Sequence, residues 1–181
     1  SMEDLNAASL DDVKEWFKTY YGANNAVICI AGDIKAEDAL EKVKKYFGDI
    51  PAGPPIAKHA AWTAKMTGNH YQQAQDRVPQ ARIQKTWNVP GWGTAELTYL
   101  NILLDILTNG KTSRLYKRLV YDEQLSSNVF AYTQQSEIGG QFNIFSDAKP
   151  GVPLNKINDV INEELKKIIS TGVTLAELDR A

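Results

Sequence analysis

The sequence predicts an α+β fold, a mainly antiparallel sheet with helices packed on one face, and three features predict it. Ser126 to Thr133 and Gln141 to Asp147 alternate apolar and polar residues and are joined through Glu137-Ile138-Gly139-Gly140, as in an antiparallel hairpin. Leu97, Leu100, Leu104 and Leu107 repeat at helical spacing, and Leu103 and Ile106 widen their stripe until little polar surface remains, so this helix is expected inside. Leu154 to Ile169 keeps Ile157, Val160, Ile161, Leu165 and Ile168 on one side only, as a helix lying on a sheet does. A chain of 181 residues, 43% hydrophobic and 23% charged, can bury such a core.

In chain order, Ser9 is the expected N-cap of a first helix, with Asp11 and Asp12 at its positive end, Leu10, Val13, Phe17 and Tyr20 or Tyr21 on its apolar face, and Gly22 at its end. Asn25 to Ala31 is a nearly continuous apolar run and predicts a strand buried on both faces. Gly32-Asp33 turns the chain into a second amphipathic helix, with Ala36, Leu40, Val43 and Phe47 inward and Gly48 after it. A single strand forms no sheet alone, so this segment needs completion by other strands. Pro51 to Pro55 (PAGPP) is the clearest linker. Beyond it, Asn69 to Asp76 and Ala81 to Asn88 are expected as paired strands, giving four strands in all, and Pro90-Gly91-Trp92-Gly93 as a loop. Asn109-Gly110 reverses the chain into a short helix opened by Ser113. Pro153 starts the last long helix, Gly172 stops it, and Thr174 and Glu177 have capping-box spacing for one more.

Lys and Arg total 20 against 22 Asp and Glu, a net charge of -2, and no basic block points to nucleic acid. No apolar stretch is long enough to cross a bilayer. The single cysteine, Cys29, lies within the apolar run and is expected to be a buried packing residue.

The segment NGKTSRLYKRLVYDEQLSSNV, Asn109 to Val129, resembles the centre of the second domain of M16 peptidases (insulinase, pitrilysin, mitochondrial processing peptidase), in which a Gly-rich turn, SSRL, a short helix and an L-R-E-x-x-G-L-A-Y-S-V type run follow one another. Upstream, SLDDVKEWFKTYYGANNAVICIAGDI resembles the end of that family's first domain. The resemblance implies the M16 (LuxS-like metallohydrolase) fold, truncated at both ends: residues 1–52 as the end of a preceding zinc-type domain, 53–66 as a linker, and 67–181 as a noncatalytic M16 domain. It implies a parent that is a zinc-dependent metalloendopeptidase, with a peptide or protein substrate, whose chamber this domain helps to form beside the zinc-carrying domain and another M16 half or subunit. The alternative is a noncatalytic M16-type scaffold. Resemblance to bacterial M16 proteins alone points to a periplasmic or otherwise exported location.

M16 peptidases use H-x-x-E-H, two histidines on zinc and a glutamate that activates water. A catalytic zinc needs three protein ligands and an open position. Here the only histidines are His59 and His70, and neither has a second histidine at motif spacing. No catalytic, cofactor or metal residue is therefore assigned, and zinc is implied for the parent only. The family also places an Arg and a Tyr, seven residues apart in the L-R-E-x-x-G-L-A-Y run, against the substrate. With Leu119 and Leu125 aligned, those positions hold Val120 and Ser127, and Arg118 is two residues too early, a rotation of roughly 200° around a helix. Arg114, Lys117 and Arg118 form a basic face, expected to be solvated rather than a carboxylate site. Trp87, Trp92 and Phe130 either line a peptide chamber or, as strand alternation favours, belong to the core.

Overall fold

A computed structural model describes Ser1–Ala181, and the backbone groups into two units, Ser1–Lys58 and His59–Ala181. In the first unit, helices α1 (Met2–Ala7), α2 (Leu10–Tyr20) and α3 (Ala36–Phe47) are separated by capping chemistry and turns. Ser9 accepts from the Asp12 N–H while the Asp12 carboxylate accepts from the Ser9 N–H, a reciprocal cap that starts α2 where the sequence places it. Asn24 clips the backbone of Gly53, accepting its N–H at 2.7 Å and donating to its carbonyl at 3.2 Å. Gly22 lies so close to this clip that a Cβ there would stand 2.4 Å from the Gly53 nitrogen, so the approach requires glycine.

No residue of this unit is buried, which corrects two expectations. Asn25 to Ala31 forms no ladder, Val27 is 96% exposed, and Cys29 is exposed rather than packed. The physical reason is that an apolar strand is buried only by neighbouring strands, and nothing in these 181 residues pairs with it.

The second unit holds β1 (Arg82–Val89), α4 (Ala95–Thr108), β2 (Ser126–Gln135), β3 (Gly140–Ala148), α5 (Leu154–Thr171) and α6 (Leu175–Arg180). The sheet is antiparallel in the order β1-β3-β2, three strands rather than four. β1 pairs with β3, Thr86 opposite Asn143, and not with residues 69–76, which are irregular. That segment, rich in Gln72, Gln73, Gln75 and Asp76, has no apolar side to bury, and β3 offers β1 an apolar one.

One face of the sheet is covered by helices. Val129, Ala131, Phe142, Ile144 and Ala148 pack there with Leu97 and Leu107 of α4, Leu115 and Leu119 of the following turn, and Ile157, Val160 and Ile161 of α5. α4 also guards the β2 edge, because the buried Thr108 hydroxyl accepts the Ala131 N–H at 3.1 Å. Between α4 and β2, Gly110 turns at φ +78° and the Ser113 hydroxyl donates to its carbonyl at 2.7 Å. The helix that follows widens to π geometry over Tyr116–Asp122, ending with the Glu123 N–H on the Arg118 carbonyl five residues back.

Candidate functional site

Arg114 of the basic helix face donates to both carboxylate oxygens of Glu177, at 2.6 and 2.8 Å, and to the Gly172 carbonyl at 3.2 Å, so it joins this helix to the start of α6. The hydrogen bonds from Arg114, reinforced by the Thr174 cap, hold the Glu177 carboxyl at about 2, below the ordinary 4.5. Arg118 faces three carboxylates: Glu123 at 2.6 Å, Glu163 at 2.6 Å and Glu164 at 3.0 Å. Burial alone would push the Arg118 guanidinium down, but these bonds together raise it. Glu164 is itself buried, which by itself raises its carboxyl, yet Lys167 and Arg118 bring it below its usual value. Lys117 alone stays open, paired with Asp122. The expectation of a solvated basic face is thus corrected for Arg114 and Arg118, whose side chains are only 17% and 25% exposed. Their donors are engaged by carboxylates of the same chain and are not free to hold a substrate carboxylate.

Val120 is half-buried against the core, and Ser127 lies at the surface with its hydroxyl on Gln80 at 2.9 Å and the Asp147 carbonyl at 3.3 Å. Gln124, between them, has φ +52°, the only non-glycine in the left-handed region. When Leu119 and Leu125 are laid on the family run, its glycine falls on Gln124, a position whose left-handed backbone suits glycine.

The aromatic candidates do not gather. Trp87 lies on the helix-covered face against Phe142, Phe130 on the opposite face, and Trp92 in the loop, 75% exposed. Trp92 is therefore not core, since its loop is held by the main chain through its N–H on the Ser136 carbonyl at 2.9 Å.

The uncovered face of the sheet carries features that the sequence reading missed. Reading the ladder across β1, β3 and β2, its rows are Gln84, Phe145 and Phe130; Thr86, Asn143 and Tyr132; Asn88, Gln141 and Gln134. Phe145 stacks on Phe130 and Tyr132 with centroids at 5.0 and 5.6 Å. Asn143 is 1% exposed, its oxygen accepts from Thr86 at 2.7 Å, and its amide nitrogen has no partner. Turning the carboxamide over moves the vacancy to its oxygen, so one end is unpaired either way. The period-2 pattern of strands held this signal: Gln84, Thr86 and Asn88 alternate with Ile83, Lys85 and Trp87. Behind β1, Lys85 donates to Asn158 and Asn162 of α5 at 2.7 and 2.8 Å, and burial lowers its ammonium pKa against the pull of Asp159.

His59 and His70 are both exposed in irregular segments, and no group of three His, Cys, Asp or Glu side chains comes together to hold a metal ion. The donor set of these residues does not fit zinc, which needs three converging protein ligands. No helix is long and apolar enough to cross a membrane.

Comparison with known proteins gives concordant results. The zinc protease PqqE of Helicobacter pylori is 25% identical over 189 residues, covering 99% of this chain and 41% of that protein. The non-peptidase homolog YmxG of the same organism is 19% identical, covering 99% and 40%. The crystal structure of a protease from Helicobacter pylori superposes with a TM-score of 0.76 at 23% identity, covering 99% of this chain and 44% of that one. The chain thus spans about two fifths of the length of the relatives it matches. The sequence pattern described as the peptidase M16 inactive domain matches residues 7–181, and the chain belongs to that family.

Proposed function

We propose that this chain serves a zinc-dependent metalloendopeptidase as a noncatalytic wall of its substrate chamber, beside a zinc-carrying domain and another M16 half or subunit. The observation that carries the reading is an M16 inactive-domain match across residues 7–181. Within the proposal, residues 1–52 complete the sheet of the zinc-type domain, 53–66 link, and 67–181 form the wall. The exposed apolar side chains of Val27, Ile28 and Ile30 support that assignment, since they leave a strand's worth of surface for neighbouring strands to cover.

The test uses the full-length protein and a quenched fluorescent peptide. Chelator-sensitive hydrolysis by the full-length protein, with none by the 181-residue chain, is the expected result. Full-length protein without such turnover, and with no intact H-x-x-E-H, would replace the enzyme by the second reading, a noncatalytic scaffold. A relative named as a non-peptidase homolog is the observation that favours this second reading.

A further inference from the structure

Two close approaches of main chain to main chain, one within each unit, share the same construction. In the first, Asn24 holds Gly53 through both ends of its carboxamide, accepting its N–H and donating to its carbonyl, and Gly22 has no Cβ to stand in the way. In the second, the Trp62 N–H donates to the Ile138 carbonyl at 2.9 Å, and a Cβ on Gly139 would come within 2.9 Å of the Trp62 carbonyl. Here too a carboxamide backs the contact, because Asn88 of β1 donates to the Ala64 carbonyl at 3.1 Å. Each anchor thus combines a glycine, which lets the backbones approach, with an asparagine, which replaces water on a peptide group. Asn24 is distant in sequence from Gly53, and Ile138 from Trp62, so local turn propensity accounts for neither.

Between the anchors the chain changes character. From Pro54 to Ala61 (PPIAKHAA) the backbone makes no hydrogen bond, no residue belongs to a helix or strand, and every residue except Ile56 is exposed. Upstream of Gly53, the next hold is the turn that closes α3, where the Ile50 N–H meets the Phe47 carbonyl at 3.3 Å. Composition marks Pro51 to Pro55 as linker, whereas the hydrogen bonds tie Gly53 to the first unit and Trp62 to the second.

We infer that the Asn24–Gly53 and Gly139–Trp62 contacts are a pair of locks that fix the tether between the two units at Pro54 to Ala61, and that opening either lock lengthens it. A tether of this length spans at most roughly 30 Å. Short tethers hold the modules they join at effective concentrations in about the millimolar range, and that concentration falls as the tether lengthens. The locks are therefore where the chain sets the local concentration of one unit around the other. Both bonds of the first lock are exposed to solvent, so it can open locally while α2 and α3 stay formed. The device is independent of the proposed enzymatic function.

The experiment records heteronuclear NOE values and amide exchange on the 181-residue chain. Values should be high at Ala52, Gly53 and Trp62 and low from Ile56 to Ala61, with the Gly53 and Trp62 amides protected. Asn24→Ala should extend the low values back over Ala52 and Gly53 and speed Gly53 exchange about tenfold or more, as two hydrogen bonds are lost, without changing Trp62. Gly139→Ala should do the reverse, freeing Trp62 and sparing Gly53. Asn88→Ala tests the second lock without altering the β2–β3 turn, and unchanged amide shifts in α2 and α5 certify the fold of each variant. High values throughout Ile56 to Ala61 in the parent chain, or Gly53 exchange in Asn24→Ala no faster than in the parent, would overturn the inference. So would loss of protection at both anchors in any single variant, which would show one cooperative contact instead of two locks. None of these readouts depends on peptide hydrolysis.

Discussion

The pair between Arg114 and Glu177 allows a stability prediction with a defined pH course. Its side chains are only 17% and 15% exposed, and the carboxylate receives both guanidinium bonds as well as the Thr174 cap. A carboxyl held at about 2 in the folded chain, against an ordinary 4.5, stabilises the fold by at most ~3 kcal/mol at neutral pH. Solvent screening at this partly wet pair brings the expected figure to about 1–2 kcal/mol. Because folding lowers this pKa, the contribution is complete above pH 4.5 and drains away as pH falls through about 2, so roughly two fifths remains at pH 3. Glu177→Gln removes the charge while keeping a side chain suited to the capping box, which isolates the ion pair from the cap. Urea unfolding of both proteins at pH 7 and pH 3 should show a difference of about 1–2 kcal/mol that shrinks by more than half at the lower pH. A difference of the same size at both values would mean that packing, not charge, is responsible. No difference at pH 7 would refute the pair as a brace between the basic helix and α6.

Amide exchange should be faster at Val27 to Ile30, which have no ladder, than at Leu104 to Leu107 in the buried helix; equal protection would show that the first segment is paired in solution. Gln124→Gly should stabilise the chain by about 0.5–1 kcal/mol, since relief of left-handed strain outweighs the added freedom of glycine in the unfolded state. A lower melting temperature for that variant would show that the Gln124 side chain holds the turn. Under the proposed function, Ser127→Ala in the full-length protein should leave peptide turnover within a few-fold, far from the roughly 100- to 1,000-fold cost of losing an oxyanion donor. A folded variant with a loss on that scale would place this strand at the reacting centre.

Periodicity made most of the second unit legible. Leu97 to Leu107, Leu154 to Ile169 and the hairpin around Gly139-Gly140 carry their burial in residue spacing, and the structure places them as helix, helix and antiparallel strands. Alternation reports which face a residue takes but not which strand lies beside it, so the pairing of Arg82–Val89 with β3 instead of residues 69–76 was beyond it. Composition marks the apolar run at Asn25 to Ala31, Cys29 included, as surface to be covered, but not whether a neighbour is there to cover it.

The candidate site shows the sharper limit. Arg118 meets Glu164 across 46 residues and Arg114 meets Glu177 across 63, and a charge on a helix gives no sign of which distant carboxylate will face it. Once those partners are in place, the residues that looked most available for a substrate are bound within the fold. The uncharged row of Asn88, Gln141 and Gln134, unremarkable in sequence, is left facing outward. Burial sets this order. The guanidinium groups are drawn toward the helical layer because carboxylates there offset their desolvation, while carboxamides remain at the open face at little cost, each able to trade water for a peptide group.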